Sequence, residues 1–283
     1  MHLIHSNEIV AENIAKMVVE AEYVVSHRKA GQFVIIIIDE FGERIPLTIA
    51  GADEGRGTIT LFYQIVGKST LKLSMLKKGD YLKDVAGPLG HATEIKKYGT
   101  VLCVGGGIGI APIYPIAASM KEAGNKVFAI IGARTGSLLI LEDELSKLCN
   151  TLHVYTDDGL AGKKGFVTEG VFELIEKEKI DLVVAIGPVP MMKAVSDITK
   201  PKGIKTLVSL NSIMVDGTGM CGGCRVTVGN KVKFTCVDGP EFDGHLVDFD
   251  ELVLRLNTYK DEEAGSYKEY KHKCRLDGVI HNG

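Results

Sequence analysis

The spacing of one aspartate and three cysteines near the C-terminus constrains the fold of this chain more than any other feature of its sequence. Asp216 precedes Cys221 with four residues between them, and Cys224 and Cys236 follow after gaps of two and eleven residues. With a cysteine at 216, this would be the C-x4-C-x2-C…C spacing that holds a [2Fe–2S] cluster through four thiolates. Four glycines between Asp216 and Cys224 let the backbone wrap an inorganic core and leave amide N–H groups for its sulfurs. The motif therefore predicts a [2Fe–2S] site in which Asp216 is the fourth ligand.

Two alternatives to this assignment stay open on the residues alone. The cysteines could form a structural zinc site or free thiols in a glycine-rich turn, but zinc prefers tetrahedral Cys or Cys/His sets and no second paired C-x2-C or H-x3-H follows. Asp216 could instead cap the turn, with Cys274 of the charged tail folding back as the fourth ligand. Cys103 in an apolar strand and Cys149 at a helix end are predicted to be small core residues.

Composition excludes several classes of function. The chain has 283 residues, a net charge of −3 and no basic cluster, so nucleic acid is not an expected partner. The longest apolar run, residues 33–38, is too short to span a membrane. No signal peptide is visible, and six cysteines without an export signal are typical of thiols that serve metals in a reducing compartment. We therefore expect a cytoplasmic protein of two domains with a small third module.

Residues 1–97 are predicted to form a small antiparallel β-barrel. Short apolar, β-branched segments alternate with Gly and Asp turns, and several short strands that close on themselves favour a barrel. The predicted strands span residues 32–39, 44–50, 58–66 and 81–85, after a segment of mixed alternation at 11–25. One short helix is expected in this part of the chain, at residues 69–76.

Residues 98–208 are predicted to form an α/β domain. Strands at 101–104, 126–132, 152–156 and 182–186 alternate with helices at 113–123, 139–148, 170–178 and 190–198. This alternation is typical of a parallel sheet with helices on both faces. The cluster module follows at residues 209–250, and residues 251–283 are predicted to form a surface helix and a loose tail.

The loops after these strands indicate a nucleotide site. The glycine loop at 105–112 lies between a strand and a helix, where phosphate meets the positive end of the helix dipole; taken alone, it could also be a tight turn. Loops at 132–135, 156–159 and 187–192 follow the next strands, at the edge where open α/β sheets bind ligands. In the barrel, residues 63–70 end with a glycine and two hydroxyls before a helix, which predicts a pyrophosphate seat.

These motifs occur in a recognisable order. Along the chain they read R-x-P-L-T, Y-x-I-V-G-x-S-T, GGGIGIAP, GAR, TDDG and GPVPMM, and together they resemble the ferredoxin–NADP reductase superfamily. With the cysteine motif added, the chain resembles the branch of dihydroorotate dehydrogenase electron-transfer subunits over nearly its whole length. Asp216 stands where those subunits carry a fourth cysteine. In that departure the chain is similar to the small subunits of NADH-dependent ferredoxin:NADP oxidoreductases.

The resemblance implies FAD on the barrel, NAD(H) on the α/β domain and a [2Fe–2S] cluster on the C-terminal module. Its flavin residues are Arg44, near the pyrophosphate, with Pro46, Leu47, Thr48, Tyr63, Gln64, Ile65, Gly67, Ser69 and Thr70. Its pyridine-nucleotide residues are Gly106, Gly107, Ile108, Gly109, Pro112, Arg134, Thr135, Asp157, Gly187, Pro188 and Met191. Arg134 could meet a 2′-phosphate or stack on adenine, and no acidic residue is obvious for a free 2′-hydroxyl. The choice of NAD over NADP therefore follows from the resemblance alone.

The implied activity is that of an oxidoreductase subunit that passes electrons between NAD(H), FAD and the cluster, with no catalytic acid or base. The implied partner is a larger iron–sulfur flavoprotein, similar to the small subunit of glutamate synthase, that binds NADP(H) and links the chain to ferredoxin, with electron bifurcation expected. One alternative places the same module in an NAD-dependent dihydroorotate dehydrogenase. Another, a redox-sensing or structural [2Fe–2S] protein with vestigial nucleotide folds, is disfavoured by the intact glycines at 105–109.

Overall fold

The computed structural model describes residues 1–276, the last two by their backbone alone; residues 277–283 of the predicted tail lie outside the described residues. Two seven-stranded sheets account for most of the strands, and a two-stranded hairpin completes them. Within residues 1–276, no helix is long and apolar enough to cross a membrane.

The first sheet is the antiparallel barrel that the sequence predicts, and it is nearly closed. Its strand order is β6-β1-β2-β5-β4-β3-β7, with every neighbouring pair antiparallel. Alternate residues face a core of aliphatic side chains such as Met17, Ile36 and Leu61, as the period of two requires. The strands are β1 (His2–Ala11), β2 (Ile14–Glu20), β3 (Phe33–Ile37), β4 (Arg44–Asp53), β5 (Thr58–Gln64), β6 (Tyr81–Leu82) and β7 (Asp84–Leu89).

The barrel contains two helices, so the prediction of a single one is wrong. The predicted helix is present as α2 (Lys68–Met75), and α1 (Glu22–His27) precedes β3. The sequence pattern hides α1 because its core contacts are Val24 and Val25, both buried, and β-branched residues favour strands. Tertiary packing overrides that preference. The strand β1 was likewise not predicted.

The second sheet is parallel with helices on both faces, as predicted. Its order is β11-β10-β9-β8-β12-β13-β16, and only β16 runs antiparallel to its neighbour. Alternate residues of the central strand face different cores: Val101 and Cys103 pack with α3, whereas Leu102 and Val104 pack with α5 and α6. The elements are β8 (Thr100–Gly106), α3 (Ile110–Glu122), β9 (Lys126–Ala133), α4 (Glu142–Leu148), β10 (Thr151–Thr156), β11 (Lys163–Lys164), α5 (Val167–Lys177), β12 (Leu182–Ile186), α6 (Val189–Thr199) and β13 (Lys205–Ser209).

The cysteine-bearing segment is joined to this sheet. Its strand β16 pairs with β13, so residues of the predicted cluster module extend the α/β sheet. A hairpin and three helices make up the rest, and α9 packs on α2 of the barrel. The elements are β14 (Arg225–Val228), β15 (Lys231–Phe234), α7 (Thr235–Asp238), β16 (Glu241–Asp243), α8 (Phe249–Leu256) and α9 (Lys260–Leu276).

Candidate functional site

A cleft of about 900 Å³ separates the barrel from the α/β domain. One wall is formed by β4 and β5, and the other by the loops after β8, β9, β10 and β12. These loops stand at the carboxyl ends of parallel strands, which is where this class of sheet binds ligands. The cleft is large enough for a dinucleotide-sized cofactor, and its lining is mostly apolar, as is typical of cofactor sites.

The barrel wall carries most of the predicted flavin residues. Pro46, Leu47 and Thr48 line the cleft from β4, which antiparallel pairing with β3 and β5 holds in the barrel sheet. Gln64 and Thr70 line it from the end of β5 and the start of α2. The structure therefore brings these five residues together on one surface.

Tyr63 borders the cleft, but its side chain is buried in the barrel core. Its hydroxyl donates to Asn7 Oδ1 at 2.7 Å, and Asn7 Nδ2 donates to the carbonyl oxygens of Leu73 and Leu76 at 2.9 and 2.8 Å. Burial raises the pKa of Tyr63 well above its usual range, so the phenol stays protonated. Sequence reasoning missed Asn7. No local sequence pattern shows that an asparagine in β1 links β5 to the C-terminal end of α2.

The other predicted flavin residues stand behind this wall. Ile65 packs partly buried against the barrel core, and Ser69 donates to Glu43. Gly67 is the N-cap of α2, where Thr70 Oγ1 accepts the Val66 and Gly67 N–H groups, each at 3.1 Å. Thr70 therefore shapes the turn that leads into α2.

Arg44 contacts the cysteine-bearing segment. Arg44 Nε donates to the backbone carbonyl of Asp216 at 3.0 Å, and among the described residues Arg44 is not part of the cleft lining. Arg44 is the first residue of β4, so its side chain lies at the end of the strand, where it reaches the cysteine-bearing segment. The contact joins residues 172 positions apart in the chain, which local sequence patterns do not reveal.

The glycine loop forms the opposite wall. Gly106, Gly107, Ile108, Gly109 and Pro112 all line the cleft. Pro112 belongs to the first turn of α3, because the helix begins three residues earlier than predicted, and proline suits that position. Gly187, Pro188 and Met191 line the cleft beside them.

Close packing explains why two of these positions are glycines. A Cβ at Gly109 would lie 2.2 Å from the carbonyl oxygen of Ile186, and a Cβ at Gly106 would lie 2.5 Å from Met191 Sδ. Any side chain at Gly109 would therefore push β8 and β12 apart. Gly107, with φ of +56°, meets no neighbour within 4 Å, so its backbone faces the open cleft.

An acidic pair lies at the end of β10. Arg134 and Asp157 line the cleft, whereas the predicted ligand Thr135 hydrogen-bonds the side chain of Asp158. The Leu160 N–H, donating at 3.0 Å, and the Thr135 hydroxyl hold the pKa of Asp158 below its usual range. Asp158 is thus a fixed anion beside Arg134. The sequence contains it in the TDDG motif, but its pairing with Thr135 requires adjacent strands β9 and β10.

The cysteine-bearing segment brings two thiols together directly. Cys224 and Cys236 are buried with their Sγ atoms 3.1 Å apart, and burial raises the pKa of Cys236 to about 12. Cys221 is exposed, and its sulfur accepts the Gly223 N–H at 3.4 Å. That hydrogen bond lowers the pKa of Cys221, which favours the thiolate form that metals bind.

Asp216 closes the glycine turn. Its Oδ2 accepts hydrogen bonds from the Thr218 N–H at 2.9 Å, the Thr218 hydroxyl at 2.6 Å and the Met220 N–H at 3.2 Å. The two hydrogen bonds from Thr218 are the main cause that lowers the pKa of Asp216 below its usual range. Cys274 is buried in α9, which packs on α2 of the barrel.

The donor set fits a [2Fe–2S] cluster, which takes two protein ligands on each iron. Cys224 and Cys236 form one close pair of thiols. Asp216 and Cys221 lie in the adjoining glycine turn with four residues between them, and they offer a carboxylate and a third thiol. The residues present therefore supply the four ligands that such a cluster needs.

One layer of side chains separates the thiol pair from the cleft. Phe33 packs in a cluster with Cys224 and Cys236, and Met214 packs against the same cluster. Phe33 and Met214 also line the cleft. A group held in the cleft and a group held by the thiols would therefore touch opposite sides of the same residues.

Comparison with known proteins agrees with this arrangement. A family model described as the iron–sulfur cluster binding domain of dihydroorotate dehydrogenase B matches residues 211–248, and one for an oxidoreductase NAD-binding domain matches residues 103–197. Over 93% of its length, the chain is 48% identical to 95% of a dihydroorotate dehydrogenase B (NAD(+)) electron transfer subunit homolog of Thermotoga maritima. Over 84% of its length, it is 34% identical to 94% of the dihydroorotate dehydrogenase B (NAD(+)) electron transfer subunit of Fusobacterium nucleatum.

A solved structure is equally similar. One of its chains matches with a TM-score of 0.90 and 46% identity, covering 95% of this chain and 98% of that one. That structure is of an NADH-dependent reduced ferredoxin–NADP oxidoreductase, described for flavin-based electron bifurcation. The matches confirm the oxidoreductase assignment and the expected cofactors, FAD, a [2Fe–2S] cluster and NAD(H). The chain belongs to the family of dihydroorotate dehydrogenase B electron-transfer subunits.

Proposed function

We propose that this chain is the electron-transfer subunit of an NADH-dependent ferredoxin:NADP oxidoreductase and passes electrons between NAD(H), FAD and a [2Fe–2S] cluster. The observation that carries the proposal is the shared layer of Phe33 and Met214, which contact both the cleft and the thiol pair. Bound flavin exchanges electron pairs with nicotinamide and single electrons with an iron–sulfur centre. The chain's own task is to hold the three groups close together and to keep water out between them.

The barrel wall is assigned to FAD. Pro46 and Leu47 offer an apolar surface to the ring system, and Thr48 and Gln64 supply polar groups at its edge. Thr70 orders the turn before α2, whose N-terminal amides suit a pyrophosphate. Tyr63, hydrogen-bonded to Asn7, fixes the end of β5 from within the barrel core.

The α/β wall is assigned to NAD(H). The open backbone of Gly107 and the start of α3 suit the nucleotide phosphates, and Gly187, Pro188 and Met191 close the nicotinamide end. Asp158, which directly follows the cleft-lining Asp157, is assigned to a free ribose 2′-hydroxyl, and its charge opposes a 2′-phosphate. The cluster is assigned to Asp216, Cys221, Cys224 and Cys236.

This assignment divides the chain into an FAD barrel at 1–97, a nucleotide domain at 98–208, a cluster module at 209–250 and a C-terminal helix with its tail at 251–283. The pairing of β16 with β13 supports rigid attachment of the cluster module to the nucleotide domain. Rigid attachment suits electron transfer, since the distance between donor and acceptor then stays constant.

The proposed partner is a larger iron–sulfur flavoprotein subunit, similar to the small subunit of glutamate synthase, that binds NADP(H) and exchanges electrons with ferredoxin, with bifurcation in the complex. The likeness to the NADH-dependent reduced ferredoxin–NADP oxidoreductase supports this choice, as does an aspartate at the fourth ligand position. The second candidate is the electron-transfer subunit of an NAD-dependent dihydroorotate dehydrogenase, which the names of the curated relatives favour.

Purification of the native complex tests both. A tag on this chain should recover a larger iron–sulfur flavoprotein by mass spectrometry, and stopped-flow mixing with NADH should bleach flavin and cluster absorbance together. The complex should reduce NADP with reduced ferredoxin and NADH as donors. Recovery of a dihydroorotate dehydrogenase, with dihydroorotate-dependent NAD reduction, would decide for the second candidate. Absence of flavin and iron from the purified chain would refute both.

A further inference from the structure

Two arginines from different parts of the fold donate hydrogen bonds to the cluster loop, which we define as residues 216–224. Arg44 Nε donates to the carbonyl of Asp216, and Arg255 Nη2 donates to the carbonyl of Gly223, both at 3.0 Å. Asp216 is itself a proposed cluster ligand, and Gly223 directly precedes the proposed ligand Cys224. Both arginines are half-buried residues. We propose that Arg44 and Arg255 position the cluster and raise its reduction potential, an inference that rests on the proposed [2Fe–2S] site.

The cluster loop needs contacts from outside to fix its conformation, because its glycine-rich backbone can adopt many conformations. Gly217, Gly219 and Gly222 have φ values of +82°, +89° and +68°, in the region that glycine enters freely and other residues avoid. Glycine loses the most conformational freedom on folding, so such a loop is costly to order. Arg44 holds its first residue from the barrel, and Arg255 holds its far end from α8.

Charge gives the two arginines a second effect. Three thiolates and a carboxylate make the ligand set strongly anionic, and each electron that enters adds negative charge. A guanidinium remains protonated at any working pH, and half-buried charges are screened less than exposed ones. Neighbouring cations therefore stabilise the reduced cluster more than the oxidised one, and that difference raises the potential.

The position of Arg44 also couples the cluster to the flavin wall. Arg44 lies on the same strand as Pro46, Leu47 and Thr48, which line the cleft. A strand advances about 3.4 Å per residue, so the distance from Arg44 to Thr48 along β4 is about 14 Å. One stiff strand thus carries both the flavin surface and a contact to the cluster loop. Because Nε is used on Asp216, this role differs from the pyrophosphate contact that the sequence predicts.

The test uses the full chain in its purified complex. Arg44→Gln, Arg255→Gln and the double variant remove the charges, while Arg44→Lys and Arg255→Lys keep charge but lose the planar donor geometry. Arg56→Gln is the matched control, because Arg56 is 78% exposed in a barrel turn and pairs only locally with Asp53. Iron and FAD contents are measured first, and the cluster potential is then measured by EPR-monitored titration.

We expect both single Gln variants to shift the cluster potential downwards while retaining FAD. In the double variant the equilibrium constant for one-electron reduction should fall at least tenfold, which corresponds to 59 mV. The Lys variants should shift it less, and Arg56→Gln should leave it unchanged. Iron lost from the Gln variants but kept in the Lys variants and the control would also support the proposal.

Two results would overturn the inference while leaving the proposed function intact. An unchanged potential in both Gln variants with full iron content would show that the arginines neither tune nor position the cluster. Loss of FAD from Arg44→Gln at an unchanged potential would assign Arg44 to the flavin pyrophosphate. If the unaltered chain shows no [2Fe–2S] signal, the proposed function and the inference fail together.

Discussion

Tyr63 and Asn7, on non-adjacent strands of the barrel, are joined by a hydrogen bond of 2.7 Å at the back of the proposed flavin site. Asn7 passes the connection on to two carbonyl oxygens at the end of α2. Each polar atom of the Asn7 side chain therefore has a partner, and α2 is tied to the sheet at the end opposite its proposed phosphate-binding turn.

Removal of Asn7 should destabilise the barrel and weaken flavin binding together. Asn7→Ala leaves the Tyr63 hydroxyl and the Leu76 carbonyl without this partner, whereas the Leu73 carbonyl keeps the Leu76 N–H. Each unsatisfied buried group costs about 1–3 kcal/mol. We expect urea unfolding to show a loss of about 2–4 kcal/mol and flavin fluorescence to show partial FAD release. Tyr63→Phe removes only the donor and should cost about 1 kcal/mol. Equal free energies of unfolding for the unaltered chain, Asn7→Ala and Tyr63→Phe would show that this hydrogen-bond network does not stabilise the barrel.

The charge of Asp158 should determine the choice of pyridine nucleotide. In Asp158→Asn, loss of the anion next to Arg134 removes the repulsion against a 2′-phosphate and leaves Arg134 free to attract it. The ratio of kcat/KM for NADPH to that for NADH should rise about tenfold, or about 1.4 kcal/mol. The control is Asp143→Asn, an exposed acid in the first turn of α4. If the unaltered chain already prefers NADPH, Asp158 does not act as proposed.

Substitutions at the fourth ligand position should separate a ligand from a turn cap. Asp216→Cys should retain a [2Fe–2S] cluster with an altered EPR spectrum and potential, because a thiolate donates more covalently to iron than a carboxylate. Asp216→Ala should make the cluster labile. Cys274→Ser should leave iron content unchanged, since α9 packs on the barrel helix α2. A stable cluster in Asp216→Ala together with iron loss in Cys274→Ser would instead identify Cys274 as the ligand.

Glu241 should make stability depend on pH. Glu241 is half-buried in β16, at the edge of the α/β sheet, and its carboxyl accepts the Thr93 hydroxyl at 2.6 Å. Burial raises the pKa of Glu241 from 4.5 to about 7, so between these values the folded chain binds more protons than the unfolded chain. Stability should therefore fall as pH rises through that window and level off above it, by about 3 kcal/mol in total.

Glu241→Gln is the matched test of that dependence. The amide oxygen can still accept the Thr93 hydroxyl, but the group no longer titrates. Thermal unfolding of this variant should lose the decline between pH 5 and 7 and should show higher stability than the unaltered chain at pH 8. A parallel pH profile in both proteins would show that Glu241 ionises without cost.

The amino-acid sequence by itself determined the elements and the chemistry of the sites. Glycine loops after apolar strands, the β-branched periodicity of the barrel and the cysteine spacing are local signals, because each depends on residues a few positions apart. The architecture and the [2Fe–2S] assignment followed from them, whereas FAD and NAD(H) followed from the resemblance of the ordered motifs to a known family. The local signal was wrong at α1, where buried valines that favour strands form a helix.

Only the tertiary structure decided which side chains meet. Arg44 contacts Asp216 across 172 residues, Asn7 reaches Tyr63 across 56, and Thr93 meets Glu241 across 148. Such pairs depend on strand register and on how two domains pack, and one-residue changes in register would send each side chain to the opposite face. Periodicity records which face is buried but not which distant residue covers it, so these contacts appear only once the chain is folded.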